Sequence, residues 1–135
     1  MKAALSVAAL AIPMMANAAD LRVMVTNGPL RPATLYIALF DTADSFSAGR
    51  AMMSQKLEMH GGVAQWVFSG LPEGRYAIKS FADENGNGKL DTNLIGLPVE
   101  RYGFSNNARG RLAPSAFDAA AVHVSADSSI SLELK

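Results

Sequence analysis

Asp83 to Asp91, DENGNGKLD, gathers two aspartates, two asparagines and two glycines in nine residues, with Leu90 as its one apolar side chain. Carboxylate and amide oxygens at alternating positions are what a hard cation takes, since Ca²⁺ is held by about 6–8 oxygens at about 2.3–2.6 Å. In the calcium-loop pattern the chain curls around the ion, so its first, third and fifth side chains supply oxygen. The sixth residue is a turn glycine, the seventh gives its main-chain carbonyl and the ninth acts directly or through water. Asp83, Asn85, Asn87, Gly88, Lys89 and Asp91 stand at those places. The twelfth place holds Leu94 rather than a bidentate glutamate, and the stretch follows a strand pattern, so this is not an EF-hand. With two carboxylates in the pattern, weak Ca²⁺ binding in the range of about 10⁻⁴–10⁻³ M is expected. A further oxygen would come from Asn93, Glu84 or Glu100, among which the sequence does not choose. The same residues also spell two successive Asn-Gly turns, with Asp83 and Asp91 free to bond the turn's own amides.

A second constellation follows. Tyr102, Phe104, Asn106, Asn107, Arg109 and Arg111 place aromatics, amides and guanidinium groups within ten residues. Aromatic faces for stacking, amides for directional bonds and an arginine fork are what a sugar or carboxylate pocket uses. Equally, the aromatics would anchor a long loop while the asparagines make its turns. Catalytic material is thin. The histidines are His60 in a turn and His123 in a strand, no G-x-S-x-G elbow is present, and cysteine is absent. Two distant histidines without cysteine are poor zinc ligands. Trp66 and the methionines read as core filling, and Lys89 precedes Leu90 rather than the Ser or Thr of a phosphate loop.

The elements that must position these residues read as strands and turns. Leu21, Val23 and Val25 alternate with Arg22, Met24 and Thr26. The run ATLYIALFD has the density of a strand buried on both faces. DTADSFSAGR reads as a polar connection, and Met52 to Met59 leads through His60-Gly61-Gly62 into VAQWVFSG as a hairpin. A strand carrying Tyr76, Ile78 and Phe81 precedes the DENGNGKLD stretch. Two short alternating strands close the chain, with Ile130, Leu132 and Leu134 inward. About seven strands with almost no helical periodicity predict an all-β, antiparallel two-sheet sandwich, with a long ordered loop excursion after the fifth strand.

Residues 1–18 fall outside that fold. Met1-Lys2, an apolar run to Met15 and Ala16-Asn17-Ala18 make a cleaved export signal, shorter than the roughly 20 residues of a membrane span. One domain, 19–135, is expected to follow, located in the periplasm or secreted, with no membrane anchor. Its net charge near −1 offers no basic field for nucleic acid.

The segments LPEGRYAIKSFADENGNGKLDTNLIGLPVERYGFSNNARG and PSAFDAAAV resemble the signature of a family of small exported bacterial proteins, a domain of unknown function. The resemblance implies a transthyretin-like or immunoglobulin-like sandwich. It also implies that Asp83, Asn85, Asn87 and Asp91 belong with Tyr102 to Asn107 to one family feature, and it supplies no substrate. The expected function is a non-enzymatic module whose Ca²⁺ loop orders the 102–111 segment for a small ligand or envelope partner. The alternatives are a cell-envelope hydrolase or sugar-modifying enzyme using acids near the loop, and a structural or adhesion module.

Overall fold

The computed structural model describes residues 18–92, 94–96, 98–108 and 116–135. Among them are eight strands: β1 (Ala18–Thr26), β2 (Ala33–Phe40), β3 (Met53–Met59), β4 (Ala64–Pro72), β5 (Gly74–Asp83), β6 (Tyr102–Phe104), β7 (Val122–Val124) and β8 (Ser128–Glu133). They form two sheets, β4-β1-β8 and β3-β2-β5-β6, with β7 also on β5. The sheets face each other across a core of alternating residues, as period-2 patterning requires. Leu21, Val23 and Val25 come from one sheet and Leu35, Ile37, Leu39 and Ile78 from the other. Each such side chain contributes about 1.5–3 kcal/mol on full burial. Trp66 packs half-buried against this core, as does Ile130, while Leu132 and Leu134 are fully inside.

The sandwich differs from expectation in three places. First, β8 runs parallel to β1, Leu21 opposite Ser128 and Val25 opposite Leu132, so the two C-terminal strands lie in different sheets. Second, His60 to Val63 is not a hairpin within one sheet. β3 and β4 separate immediately after a single His60–Val63 bridge and enter opposite sheets, making this glycine pair a corner. Third, the polar stretch after β2 holds a short helix, α1 (Ala43–Ala48). Thr42 caps it by accepting the Ser45 N–H at 3.0 Å, and Gly49 ends it at φ 69°.

The β3-β2-β5-β6 sheet has an outer face built in cross-strand rows. Phe40 stands opposite Ala77, Ala38 opposite Lys79, Tyr36 opposite Phe81 and Thr34 opposite Asp83. Helix α1 and a second helix, α2 (Ala116–Ala120), cover the first row through a small cluster of Phe40, Phe46, Phe117, Ala77 and Ala120. Phe46 meets Phe40 and Phe117 edge-on, with centroids 5.4 and 6.0 Å away. The Asp83–Asp91 bend leaves from the last row, so the two middle rows lie between helices and bend.

The 83–108 excursion is held to the sandwich at β6. Tyr102 and Lys135 exchange both main-chain hydrogen bonds at 3.0 and 2.8 Å. Gly103 permits the approach, because a Cβ there would lie 2.8 Å from the Glu133 carbonyl oxygen.

Candidate cation loop and aromatic groove

β5 delivers Asp83 into the bend with only 3% of its surface exposed. Its carboxylate oxygens accept the N–H groups of Gly86 at 3.0 Å and Gly88 at 2.8 Å. Asn85 Oδ1 accepts from the Asn87 N–H at 3.1 Å, and Asn87 Oδ1 from the Lys89 N–H at 3.0 Å. These stacked side-chain turns need the left-handed backbone of Gly86 (φ 75°) and Gly88 (φ 72°). The amide nitrogens of Asn85 and Asn87 both donate to Asp91, Asn85 to Oδ2 and Asn87 to Oδ1. Thus the aspartates and asparagines that the sequence singles out interlock rather than splay. Turn-making and oxygen-gathering are compatible here, because each turn bond occupies one lone pair of an oxygen that has two.

Glu100 closes the mouth of the bend. Buried to 6% exposure, it accepts the Glu84 N–H on Oε2 at 2.7 Å and the Asp91 N–H on Oε1 at 3.0 Å. The Val99 N–H adds a bond to the Asp91 carbonyl at 2.8 Å. Glu84 itself points outward, 3.8 Å from Arg31. Asn93, Arg109 and Arg111 lie outside the described residues, as do residues 1–17 of the expected export signal. Among the described residues, no group of three or more His, Cys, Asp and Glu side chains is arranged to hold a metal ion. A cation in this bend would therefore rest largely on amide and main-chain oxygens beside Asp83 and Asp91.

The bend leans on the uncovered rows of the sheet. A Cβ on Gly88 would sit 3.5 Å from the Tyr36 hydroxyl, and Leu90 lines a hollow of about 470 Å³ over those rows. One row runs Lys56, Tyr36, Phe81, Tyr102, and the next Ser54, Ala38, Lys79, Phe104. Depth comes from the small side chains of Ser54 and Ala38 between larger neighbours. Tyr36 and Phe81 stack with centroids 4.9 Å apart and planes 4° from parallel, while Tyr102 meets Phe104 edge-on at 5.9 Å.

The second constellation consequently divides. Tyr102 and Phe104 line the hollow. Asn106 and Asn107 serve the main chain instead, from positive φ of 59° and 49°. Asn106 donates to the Ala119 and Ala121 carbonyls, and Asn107 accepts the Glu133 N–H at 2.8 Å. Between them and Phe104 sits Ser105, wholly buried, which accepts the Ile78 N–H at 2.8 Å and donates to the Ala120 carbonyl. Ser105 was not singled out by sequence reasoning, because one serine in a polar run carries no pattern.

Two titrating groups of β5 lie on its opposite faces, Tyr76 in the inter-sheet core and Lys79 beside the hollow. Burial and then Asp41 raise the Tyr76 phenol above its ordinary value, and Tyr76 donates to the Pro72 carbonyl at 2.5 Å. Burial lowers the Lys79 ammonium, whose Nζ donates to the Phe46 carbonyl at 2.5 Å and lies 4.1 Å from the Phe46 ring centroid. The signs oppose. A raised phenol contributes stability that is intact below about pH 10 and is lost as pH rises towards its folded value. A lowered ammonium contributes stability present above its ordinary value of about 10.4 and lost as pH falls through its folded value. Melting curves across pH 8–11 are therefore expected to separate them. Tyr76→Phe should lose the alkaline decline relative to wild type, and Lys79→Met should lose the alkaline gain.

The histidines stand in separate exposed pairs, His60 with Glu58 at 3.3 Å and His123 with Glu73 at 3.5 Å.

Fold and site together define a two-sheet β-sandwich that carries an oxygen-rich bend beside an aromatic hollow on one outer face. The chain belongs to the DUF2141 family, described as an uncharacterized protein conserved in bacteria, whose model matches residues 23–131 and so takes in the bend and β6. No curated protein and no solved structure matches the chain.

Proposed function

We propose that the protein is an exported, non-enzymatic binding module, periplasmic or secreted, whose 83–91 bend takes a weakly held Ca²⁺ and thereby fixes the edge of the aromatic hollow. The observation that supports this reading is the interlocking of the bend, with the oxygens of Asp83, Asn85 and Asn87 each turned onto loop N–H groups while both amides reach Asp91. A cation in this bend would offset the charge gathered by Asp83 and Asp91 and restrain Leu90, which lines the hollow.

Calorimetric titration and melting of residues 19–135 with Ca²⁺ or EGTA test it. At 10–100 times the dissociation constant, the ion should add about 1.4–2.7 kcal/mol to wild-type stability. Asp91→Ala should remove that increment. Asp83→Ala should remove it and also lower the melting temperature in EGTA, because the N–H groups of Gly86 and Gly88 lose their acceptor. No heat and no melting shift at millimolar Ca²⁺ would overturn the calcium reading.

A further inference from the structure

The hollow over Ser54 and Ala38 is of ligand size, since small-molecule pockets run to about 300–1,000 Å³ and this one holds about 470 Å³. Its lining has a consistent chemistry. Aromatic surface comes from Tyr36, Phe81, Tyr102 and Phe104, and its charged residues are both lysines, Lys56 and Lys79. Neither lysine has a carboxylate partner among the described residues. Lys79 uses one of its three donors on the Phe46 carbonyl, with its ammonium set against the Phe40 and Phe46 rings. Such a cation, half-buried beside aromatic faces and without an anion, is complementary to a negative group arriving with apolar surface attached. Tyr36 and Phe81 stack on each other across adjacent strands, so the pair offers the hollow a ready-made aromatic stack.

We propose that this hollow binds a small planar aromatic carboxylate, its ring laid against the Tyr36–Phe81 pair and the Phe104 edge, its carboxylate taken by Lys79 and Lys56. The assignment rests on the reading of the protein as a binding module and adds the class of ligand. A sugar is the poorer fit, since Asn106 and Asn107, which follow the lining Phe104, are engaged with main-chain groups. The 470 Å³ volume also suits one or two fused rings better than a peptide.

The test uses 2-naphthoate, with 2-naphthylmethanol as its neutral counterpart, titrated into the folded protein and followed by tyrosine fluorescence and calorimetry. Wild type should prefer naphthoate to the alcohol by about tenfold, the worth of one charge-assisted hydrogen bond. Ser54→Phe, on an exposed edge-strand position, should fill the hollow and weaken naphthoate binding about tenfold or more while melting stays that of wild type. Ala38→Leu gives a second filling variant. Lys56→Ala should weaken naphthoate and leave the alcohol unchanged. Equal binding of acid and alcohol, no binding of naphthoate at millimolar concentration, or undiminished binding to folded Ser54→Phe would each overturn the proposal. Titrations run in both EGTA and Ca²⁺ keep the two readings apart. Naphthoate binding without any calcium response upholds the hollow and refutes the cation loop, and a calcium melting shift without naphthoate binding does the reverse.

Discussion

Ser105→Ala is expected to lower stability by about 2–4 kcal/mol, because it strands two buried main-chain groups, each costing about 1–3 kcal/mol without a partner. The hydroxyl accepts the Ile78 N–H of β5 and donates to the last carbonyl of α2, so it joins the sheet to the helix that seals the phenylalanine cluster from a buried position. No water can replace it, since Ser105 has no exposed surface. For a domain of this size, about 4 °C per kcal/mol converts the loss into a fall of roughly 8–16 °C in melting temperature. An exposed serine such as Ser129, changed to alanine, should stay within about 0.5 kcal/mol. Hydrogen exchange of the Ile78 amide gives the local readout, and should accelerate in Ser105→Ala alone. A melting temperature indistinguishable from wild type would show that the hydroxyl does not hold these elements.

Glu100→Gln carries the second large effect, expected at about 1.5–3 kcal/mol. The carboxylate holds two N–H groups at once, one at each end of the bend. An amide of the same shape keeps one acceptor and turns an NH₂ group towards the other donor. Exchange at the Glu84 and Asp91 amides should accelerate together, with β5 unchanged. The calcium affinity proposed for the bend should fall with it, because the bend would need closing before it binds. Full retention of both amide protections in Glu100→Gln would remove this account of how the loop is shut.

Much of this was legible from residue types. The alternation of Leu21, Val23 and Val25 predicts which face of β1 is buried, and it is that face. The Asn-Gly pairs between Asp83 and Asp91 predict turns whose own amides bond the aspartate, and the Gly86 and Gly88 N–H groups both reach Asp83. What escaped was of three kinds. Gly61 and Gly62 adopt the positive φ of a turn whether the flanking strands stay paired or part company, so the pair could not reveal that β3 and β4 enter different sheets. Helix α1 has six residues, too few to show a period, and only Thr42 and Gly49 mark its ends. Asn106 and Asn107 offer the same donors and acceptors to a ligand as to a carbonyl, and only the position of α2 and β8 decides between them. Glu100 was legible as an oxygen source near the bend, but its role as a clasp on two amides depends on the chain returning past Thr92 and Pro98, which pair as an isolated bridge.

The parallel alignment of β1 with β8 has a consequence for the order of events in assembly. β1 can acquire β4 early, but its other flank stays bare until Ser128–Glu133 has been synthesised, and only then can Leu132 cap the interior. Closure between segments so far apart along the polypeptide is slow. A nascent molecule should therefore remain pliable until β8 has emerged and docked beside β1.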